Sequence, residues 1–251
     1  MKTIGEIKAE FAKVRMEDYP ALYEKYKDDK RSGVAKLLEQ QKRKEEALKK
    51  EKARTYTMKE YERRYEHLGW LCGIDEAGRG PLAGPVVAGA VILPEDCQIL
   101  YLNDSKQLTP RKREELYQAI MEQAVVVGVG MVGPQRIDEI NILQATYEAM
   151  RQAIANLGTT PQLLLNDAVT IPDVEIPQVP IIKGDAKSIS IAAASIVAKV
   201  TRDRLMVEYD KVMPQYGFAA NKGYGSAAHI EAIRKYGPSP IHRATFIKNF
   251  V

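Results

Sequence analysis

The spacing of apolar residues divides the chain into two parts. From residue 1 to about residue 66, apolar side chains recur at helical intervals and no alternating segment occurs. Thr3 and Glu6 stand in capping-box spacing around the start of the first helical pattern, before Ile7. We therefore predict a small all-helical extension over residues 1–68.

Short apolar runs typical of strands dominate the rest of the chain, and amphipathic stretches typical of helices separate most of them. The predicted strands cover residues 71–74, 86–93, 124–132, 163–165 and 179–182. One predicted helix begins at Thr109–Pro110, and three more cover residues 141–157, 188–209 and 227–236. The first two strands are too close in sequence for a helical crossover, so they should pair antiparallel. This order predicts an α/β domain over residues 69–251, with a mixed five-stranded sheet flanked by helices.

Composition narrows the class of protein. Of the 251 residues, 45% are apolar and 28% are charged, as in an ordinary globular protein. No apolar run has transmembrane length, and the N-terminus lacks the apolar core of a signal peptide. Cys72 and Cys97 have neither metal-binding nor redox spacing. We expect a cytoplasmic protein with reduced cysteines and no membrane partner.

The basic excess lies in the N-terminal part. Residues 1–70 carry 19 Lys and Arg against 14 Asp and Glu, and the other residues carry 18 against 19. Such a run is commonly a solvated helix face, but two functions are open. Basic residues hold a polyanionic substrate, or leucines bind a partner protein. The basic residues are Lys42, Arg43, Lys44, Lys49 and Lys50, and the leucines are Leu37, Leu38 and Leu48.

Two adjacent carboxylates, Asp75 and Glu76, come directly before a glycine-rich loop at residues 78–85. Glycine loops usually bind phosphate through exposed N–H groups, and carboxylates beside them would repel that phosphate. A divalent cation between the two removes the conflict. The glycine spacing, G-x-G-x-x-x-G, differs from the dinucleotide-binding motif, and no Walker A loop is present.

Asp167 and Asp185 also stand at the ends of apolar runs. In an α/β sheet such ends gather in one crevice. A dense group of carboxylates suits Mg²⁺ or Mn²⁺ rather than zinc, which prefers His and Cys. One Asp after a strand is commonly a cap or a turn former, so the prediction depends on the four acids together. With two cations they would form a clamp for in-line displacement at phosphorus.

Motifs spread over residues 69–251 resemble those of bacterial ribonuclease HII, the type 2 ribonucleases H. They are Asp-Glu-Ala-Gly-Arg-Gly-Pro-Leu-Ala-Gly-Pro at 75–85, Asp-Ser-Lys-Gln-Leu at 104–108, Leu-Asn-Asp at 165–167, Gly-Asp at 184–185 with the helix at 191–203, Asn-Lys-Gly-Tyr-Gly at 221–225 and His-Arg-Ala-Thr-Phe at 242–246. The resemblance implies a ribonuclease H-like sheet and endonucleolytic cleavage of RNA in RNA–DNA hybrids. It also implies an enzyme that uses Mn²⁺ or Mg²⁺ and cuts at single ribonucleotides in duplex DNA, as ribonucleotide excision requires, leaving 5′-phosphate and 3′-hydroxyl ends. We expect the protein to be a monomer.

The same resemblance assigns roles by position. Catalytic and metal-binding roles fall on Asp75, Glu76, Asp167 and Asp185. The loop that reads the 2′-hydroxyl corresponds to Gly78, Arg79 and Gly80. Tyr224 takes the place of a tyrosine that stacks on the neighbouring deoxyribose, although a core or turn tyrosine is an alternative. Lys106 is either a phosphate contact or an exposed lysine, and His229 and His242 receive no catalytic role.

Two rival functions remain at this point. The first is another nuclease of the same fold class that acts on DNA junctions, and such an enzyme would not need a 2′-hydroxyl. The second is a non-catalytic nucleic-acid binder whose acids are structural. Divalent cations would affect that protein only through salt screening.

Overall fold

A computed structural model describes residues 1–251 and divides them into two compact units, residues 1–54 and 55–251. The first unit is helical, with α1 (Ile4–Lys13), α2 (Tyr19–Tyr26) and the greater part of α3 (Ser32–Met58). The predicted capping box is present at Thr3 and Glu6. Its core is the apolar set Ile7, Phe11, Tyr19, Tyr26, Val34 and Leu37.

The second unit is built on a five-stranded mixed sheet. Its elements are α4 (Glu60–Tyr65), β1 (Leu71–Ala77), β2 (Val86–Ile92), α5 (Pro110–Gln123), β3 (Val126–Val132), α6 (Pro134–Ala155), β4 (Leu163–Asp167), β5 (Gln178–Ile181), α7 (Ile189–Val212), α8 (Phe218–Asn221), α9 (Ala227–Tyr236) and α10 (Ala244–Ile247). The strand order is β3-β2-β1-β4-β5. β1 pairs antiparallel with β2 and parallel with β4, which confirms the predicted sheet. None of the helices has the length and apolarity needed to cross a membrane.

The two long helices α6 and α7 cover opposite faces of the sheet, and small residues let them approach closely. A Cβ at Gly89 on β2 would collide with the carbonyl oxygen of Ala194 on α7. A Cβ at Gly130 on β3 would collide with the carbonyl oxygen of Ala149 on α6. The glycines therefore set the distance between sheet and helices, and with it the position of the strand ends.

One helix differs from its prediction. The pattern predicts a helix that begins at residue 141, but α6 begins at Pro134. Asn141 has φ 66° and lies outside helical geometry, and its Oδ1 accepts hydrogen bonds from the N–H groups of Leu143 and Gln144. Asn141 therefore caps the predicted helix, and the short helix before it is too brief to give a periodic signal.

Replacing Gly130 with Ala should destabilise the second unit, because the added methyl group meets helix backbone that cannot rotate away. We expect a loss of about 1–3 kcal/mol in the free energy of unfolding, as for other overpacked cores. Gly133→Ala is the matched control, since its Cβ would meet only the end of the Gln135 side chain, 3.8 Å away. Thermal unfolding of both variants checks this, and equal melting temperatures would contradict it.

Candidate functional site

Three aspartates meet at the carboxyl edge of the parallel strands. The register of β1 and β4 pairs Ile74 with Asn166, so the next residues, Asp75 and Asp167, lie side by side. Asp185 follows β5 in a short 3₁₀ turn. One carboxylate oxygen from each of the three aspartates lies within 4.8 Å of the other two. The sheet therefore brings together three of the four predicted acids.

These carboxylates are held in a charge-unfavourable arrangement. Burial raises the pKa of Asp75 well above its usual value, and the charges of Glu76 and Asp167 raise it further. Burial and the charge of Asp167 raise the pKa of Asp185 to about 6. Asp167 is fixed by the N–H of Gly184, which donates to its Oδ1 at 2.7 Å. A divalent cation fits this oxygen donor set, because it would relieve both the repulsion and the desolvation.

Glu76 lies beside this group but outside the set of converging oxygens. Successive side chains of a strand point to opposite faces, and Glu76 follows Asp75 within β1. Its Oε1 is 3.4 Å from Nη1 of Arg79. Burial raises the pKa of Glu76, and the charge of Arg79 opposes that rise.

Lys106 carries a positive charge toward the acids from an exposed position. Burial lowers the pKa of its ammonium group, but the charges of Asp104, Asp75, Asp185 and Glu76 more than offset that effect and raise it. The side chain is therefore exposed and also electrostatically coupled to the cluster, so it belongs to the rim of the site.

The glycine-rich loop leaves β1 directly after the acids. Gly78 has φ +95° and packs so tightly against the side chain of Arg202 that a Cβ would collide with it. Gly80, in contrast, has no atom within 4 Å of its Cβ position. Arg79 and Gly80 are exposed, and their backbone N–H groups donate to no group of the protein. Two unpaired donors therefore stand next to the acidic cluster.

Tyr224 lies in the loop between α8 and α9 and is 43% exposed. This exposure argues against the alternative in which it is a core tyrosine. Its neighbour Gly223 accepts hydrogen bonds from the N–H groups of Leu82 and Ala83, at 2.8 and 3.3 Å. The loop that carries Tyr224 is therefore hydrogen-bonded to the glycine-rich loop that follows Asp75 and Glu76.

The two C-terminal histidines, His229 and His242, form a buried hydrogen-bonded pair, with their Nε2 atoms 3.0 Å apart. One tautomer assignment satisfies every contact: Ser239 N–H donates to His242 Nδ1, His242 to His229, and His229 Nδ1 to the carbonyl oxygen of Tyr224. Burial and the charge of His229 lower the pKa of His242 to about 4. The neutral pair therefore anchors the Tyr224 loop.

Two arginines near the site, Arg202 on α7 and Arg243 before α10, received no role from the sequence. Both are fully buried, and both donate hydrogen bonds to carbonyl oxygens of the glycine-rich loop. A signal was present for Arg202, which stands four and eight residues after Ala198 and Ala194 on the small-residue face of the helix. A charged residue in such a row is a candidate for a buried hydrogen-bonding role.

Comparison with known proteins agrees with this geometry. The family model for Ribonuclease HII matches residues 72–249, and the model for the Ribonuclease HII N-terminal domain matches residues 3–66. The chain is 65% identical over 246 residues to the ribonuclease HII of Lachnoclostridium phytofermentans, covering 98% of this chain and 97% of that protein. It is 49% identical over 252 residues to the ribonuclease HII of Clostridioides difficile, covering 100% of this chain and 99% of that protein.

Among solved structures, the ribonuclease H2 of Pyrococcus horikoshii OT3 shares 32% sequence identity with a TM-score of 0.60, over 72% of this chain and 96% of that one. The family models and the sequence relatives thus agree along nearly the full length, and the solved structure agrees over 72% of the chain. The chain belongs to the ribonuclease HII family, whose members are type 2 ribonucleases H, metal-dependent hydrolases that cleave RNA in RNA–DNA hybrids.

Proposed function

We propose that this protein also cuts duplex DNA at single embedded ribonucleotides, leaving 5′-phosphate and 3′-hydroxyl ends, by two-metal-ion catalysis. The observation that carries the proposal is the adjacency of two features. Asp75, Asp167 and Asp185 converge, and Asp75 is followed after three residues by a loop in which the N–H groups of the exposed Arg79 and Gly80 have no partner in the protein. Recognition of one sugar and cleavage of the bond beside it can then occur in one place.

The metal-holding residues in this proposal are the four acids Asp75, Glu76, Asp167 and Asp185. Two Mn²⁺ or Mg²⁺ ions bound there would supply the charge that activates the attacking water and stabilises the departing 3′-oxygen. The Gly184 N–H keeps the Asp167 carboxylate in place before any substrate arrives. Lys106, at the exposed rim, binds a phosphate of the duplex in this proposal.

The ribose is read by the backbone of Gly78, Arg79 and Gly80. Within a duplex the 2′-hydroxyl is the group that marks RNA, and it can accept a hydrogen bond from a free backbone N–H. The Arg79 side chain, which is exposed, can hold an adjacent phosphate. The exposed ring of Tyr224 stacks on the neighbouring deoxyribose in this proposal, because the loop that carries it is hydrogen-bonded to the glycine-rich loop.

We further propose that the enzyme acts as a cytoplasmic monomer. All of the site residues named above come from one chain, so catalysis does not need a second copy. Cys72 and Cys97 are both free and buried, as suits a reducing compartment.

We propose residues 1–68 as a helical extension that aids substrate binding and residues 69–251 as the catalytic domain. Of the two roles open for the extension, partner binding through leucines is the weaker, because Leu37 lies in the core of the first unit. Lys42, Lys44 and Lys50 on α3 are exposed and available to a polyanion.

Metal binding can be tested without substrate. We expect Mn²⁺ at about 100 times its dissociation constant to stabilise the wild-type protein by about 2.7 kcal/mol. Asp75→Asn should lose this stabilisation and should melt higher than wild type without metal, because it removes a buried, repelled carboxylate. Thermal unfolding with and without Mn²⁺ measures both effects. Asp173→Asn is the control, since Asp173 is an exposed aspartate. An undiminished Mn²⁺ effect in Asp75→Asn contradicts the assignment.

Cleavage tests the proposed substrate. The wild-type enzyme should cut a DNA duplex that contains one ribonucleotide and should leave the same all-DNA duplex intact. Asp167→Asn should lower the cleavage rate by a factor on the order of 1,000 or more, because the site loses one of its converging charges. Asp173→Asn is again the matched control. Cleavage of the all-DNA duplex would support the junction-nuclease alternative, and retained cleavage by Asp167→Asn would remove the acids from the mechanism.

The basic face of α3 can be tested by charge removal. Changing Lys42, Lys44 and Lys50 to Gln should weaken hybrid binding and reduce its dependence on salt. The slope of log binding constant against log salt concentration should fall by about 0.9 for each phosphate that the variant no longer neutralises. Changing Lys8, Lys13 and Lys30 to Gln removes the same charge from exposed positions of the first unit outside α3 and serves as control. Equal salt slopes for the two triple variants would show that α3 does not contact the substrate.

A further inference from the structure

Two buried arginines support the glycine-rich loop from below. Arg243 donates from Nε to the carbonyl oxygen of Gly84 at 3.0 Å, from Nη1 to that of Arg79 at 2.8 Å, and from Nη2 to that of Gly78 at 2.5 Å. Arg202 donates to the carbonyl oxygens of Pro85, Ala83 and Lys222, at 2.9, 3.0 and 2.9 Å. Five of these six acceptors belong to residues 78–85, and both guanidinium groups are fully buried.

The hydrogen bonds of Arg243 fix which way the loop's N–H groups point. All peptide bonds of the chain are trans, and in a trans peptide the C=O of one residue is antiparallel to the N–H of the next. When Arg243 holds the carbonyl groups of Gly78 and Arg79 inward, the N–H groups of Arg79 and Gly80 must point away from it. These are the two exposed donors that have no partner in the protein.

The arrangement is unusual for buried cations, because the arginines are paired with backbone carbonyl groups rather than with carboxylates. Burial lowers the pKa of Arg243 to about 9, and the charge of Arg202 adds to this effect. Such an electrostatic cost is tolerated only where the donors are well satisfied. The arginines therefore need the loop carbonyl groups, and the loop needs the arginines to keep those groups turned inward.

The backbone around Arg243 is itself held in place. Asp138 on α6 accepts hydrogen bonds from the N–H groups of Ala244 and Thr245, at 2.7 and 2.9 Å, and from the hydroxyl of Thr245. The Arg243 N–H donates to the carbonyl oxygen of Leu82 at 2.8 Å. The backbone that carries the guanidinium group is thus hydrogen-bonded both to α6 and to the glycine-rich loop.

We propose that Arg243 and Arg202 are positioning residues for ribose recognition: their carbonyl contacts aim the N–H groups of Arg79 and Gly80 at the 2′-hydroxyl. The inference rests on the proposed cleavage at single ribonucleotides. Lysine cannot replace either residue, because one ammonium group cannot span three carbonyl groups as a planar guanidinium does. In this proposal the arginines act through the loop, whose carbonyl oxygens accept their hydrogen bonds.

The test compares recognition of the sugar with binding of the duplex. Arg243→Lys and Arg202→Lys are assayed with Mn²⁺ for the KM of a duplex containing one ribonucleotide and for the Ki of the matching all-DNA duplex as competitor. We expect KM to rise roughly tenfold, as the loss of one or two hydrogen bonds would cause, while Ki stays unchanged. Arg204→Lys is the matched control, since Arg204 lies on the same helix but is exposed and pairs with Glu114.

Two results overturn the inference. In the first, a folded Arg243→Lys enzyme keeps the wild-type ratio of Ki to KM. In the second, KM and Ki rise together, which would mean that the arginines only stabilise the fold. If Arg243→Lys does not unfold cooperatively, Asp138→Ala decides in the same way, since it loosens the Arg243 backbone from the partly exposed surface of α6. A wild-type enzyme that cleaves continuous hybrids but not the single-ribonucleotide duplex overturns the proposed function itself, and this inference with it.

Discussion

The parallel pairing of β1 with β4 is the constraint on which the rest of the site depends. Its register sets Asp75 beside Asp167, and the turn after β5 adds Asp185. The fold thereby holds carboxylates at a separation that is unfavourable without a cation, as the raised pKa values of Asp75 and Asp185 record. The stability of the sheet, supplied by the buried apolar faces against α6 and α7, offsets this repulsion. The three carboxylates are therefore held together by the fold itself, as the proposed metal site requires.

The converging aspartates and the two buried arginines are not paired with each other. Carboxylates converge at the edge of the sheet, whereas the guanidinium groups of Arg202 and Arg243 lie buried beneath the glycine-rich loop and bind its carbonyl oxygens. The carbonyl groups of the loop solvate the arginines, and the N–H groups of Arg79 and Gly80 have no partner within the protein. The neutral His229–His242 pair is hydrogen-bonded to the carbonyl oxygen of Tyr224, so the Tyr224 loop too is held by a buried polar contact.

How much could be predicted from the sequence depends on how local each signal is. The acids and the loop form contiguous motifs, and the strands that present them are apolar runs, so the mixed sheet and the meeting of Asp75, Asp167 and Asp185 could be foreseen. The helical segment at 134–140 could not, because it is too short to give a periodic signal. The contact of Arg243 with Gly78 joins residues far apart in the chain through backbone atoms, and backbone carbonyl groups carry no sequence signature. The face of β1 on which Glu76 lies could not be predicted either, because it depends on the strand continuing to Ala77.

We propose that metal binding and ribose recognition are adjacent, on one strand and the loop that follows it. Diffraction from crystals grown with Mn²⁺ and a duplex containing one ribonucleotide with an uncleavable linkage tests it most directly. We expect anomalous peaks about 2.1 Å from carboxylate oxygens of Asp75, Asp167 and Asp185, with the N–H groups of Arg79 and Gly80 directed at the 2′-hydroxyl. Manganese bound elsewhere, or a ribose that lies away from residues 78–80, would contradict it.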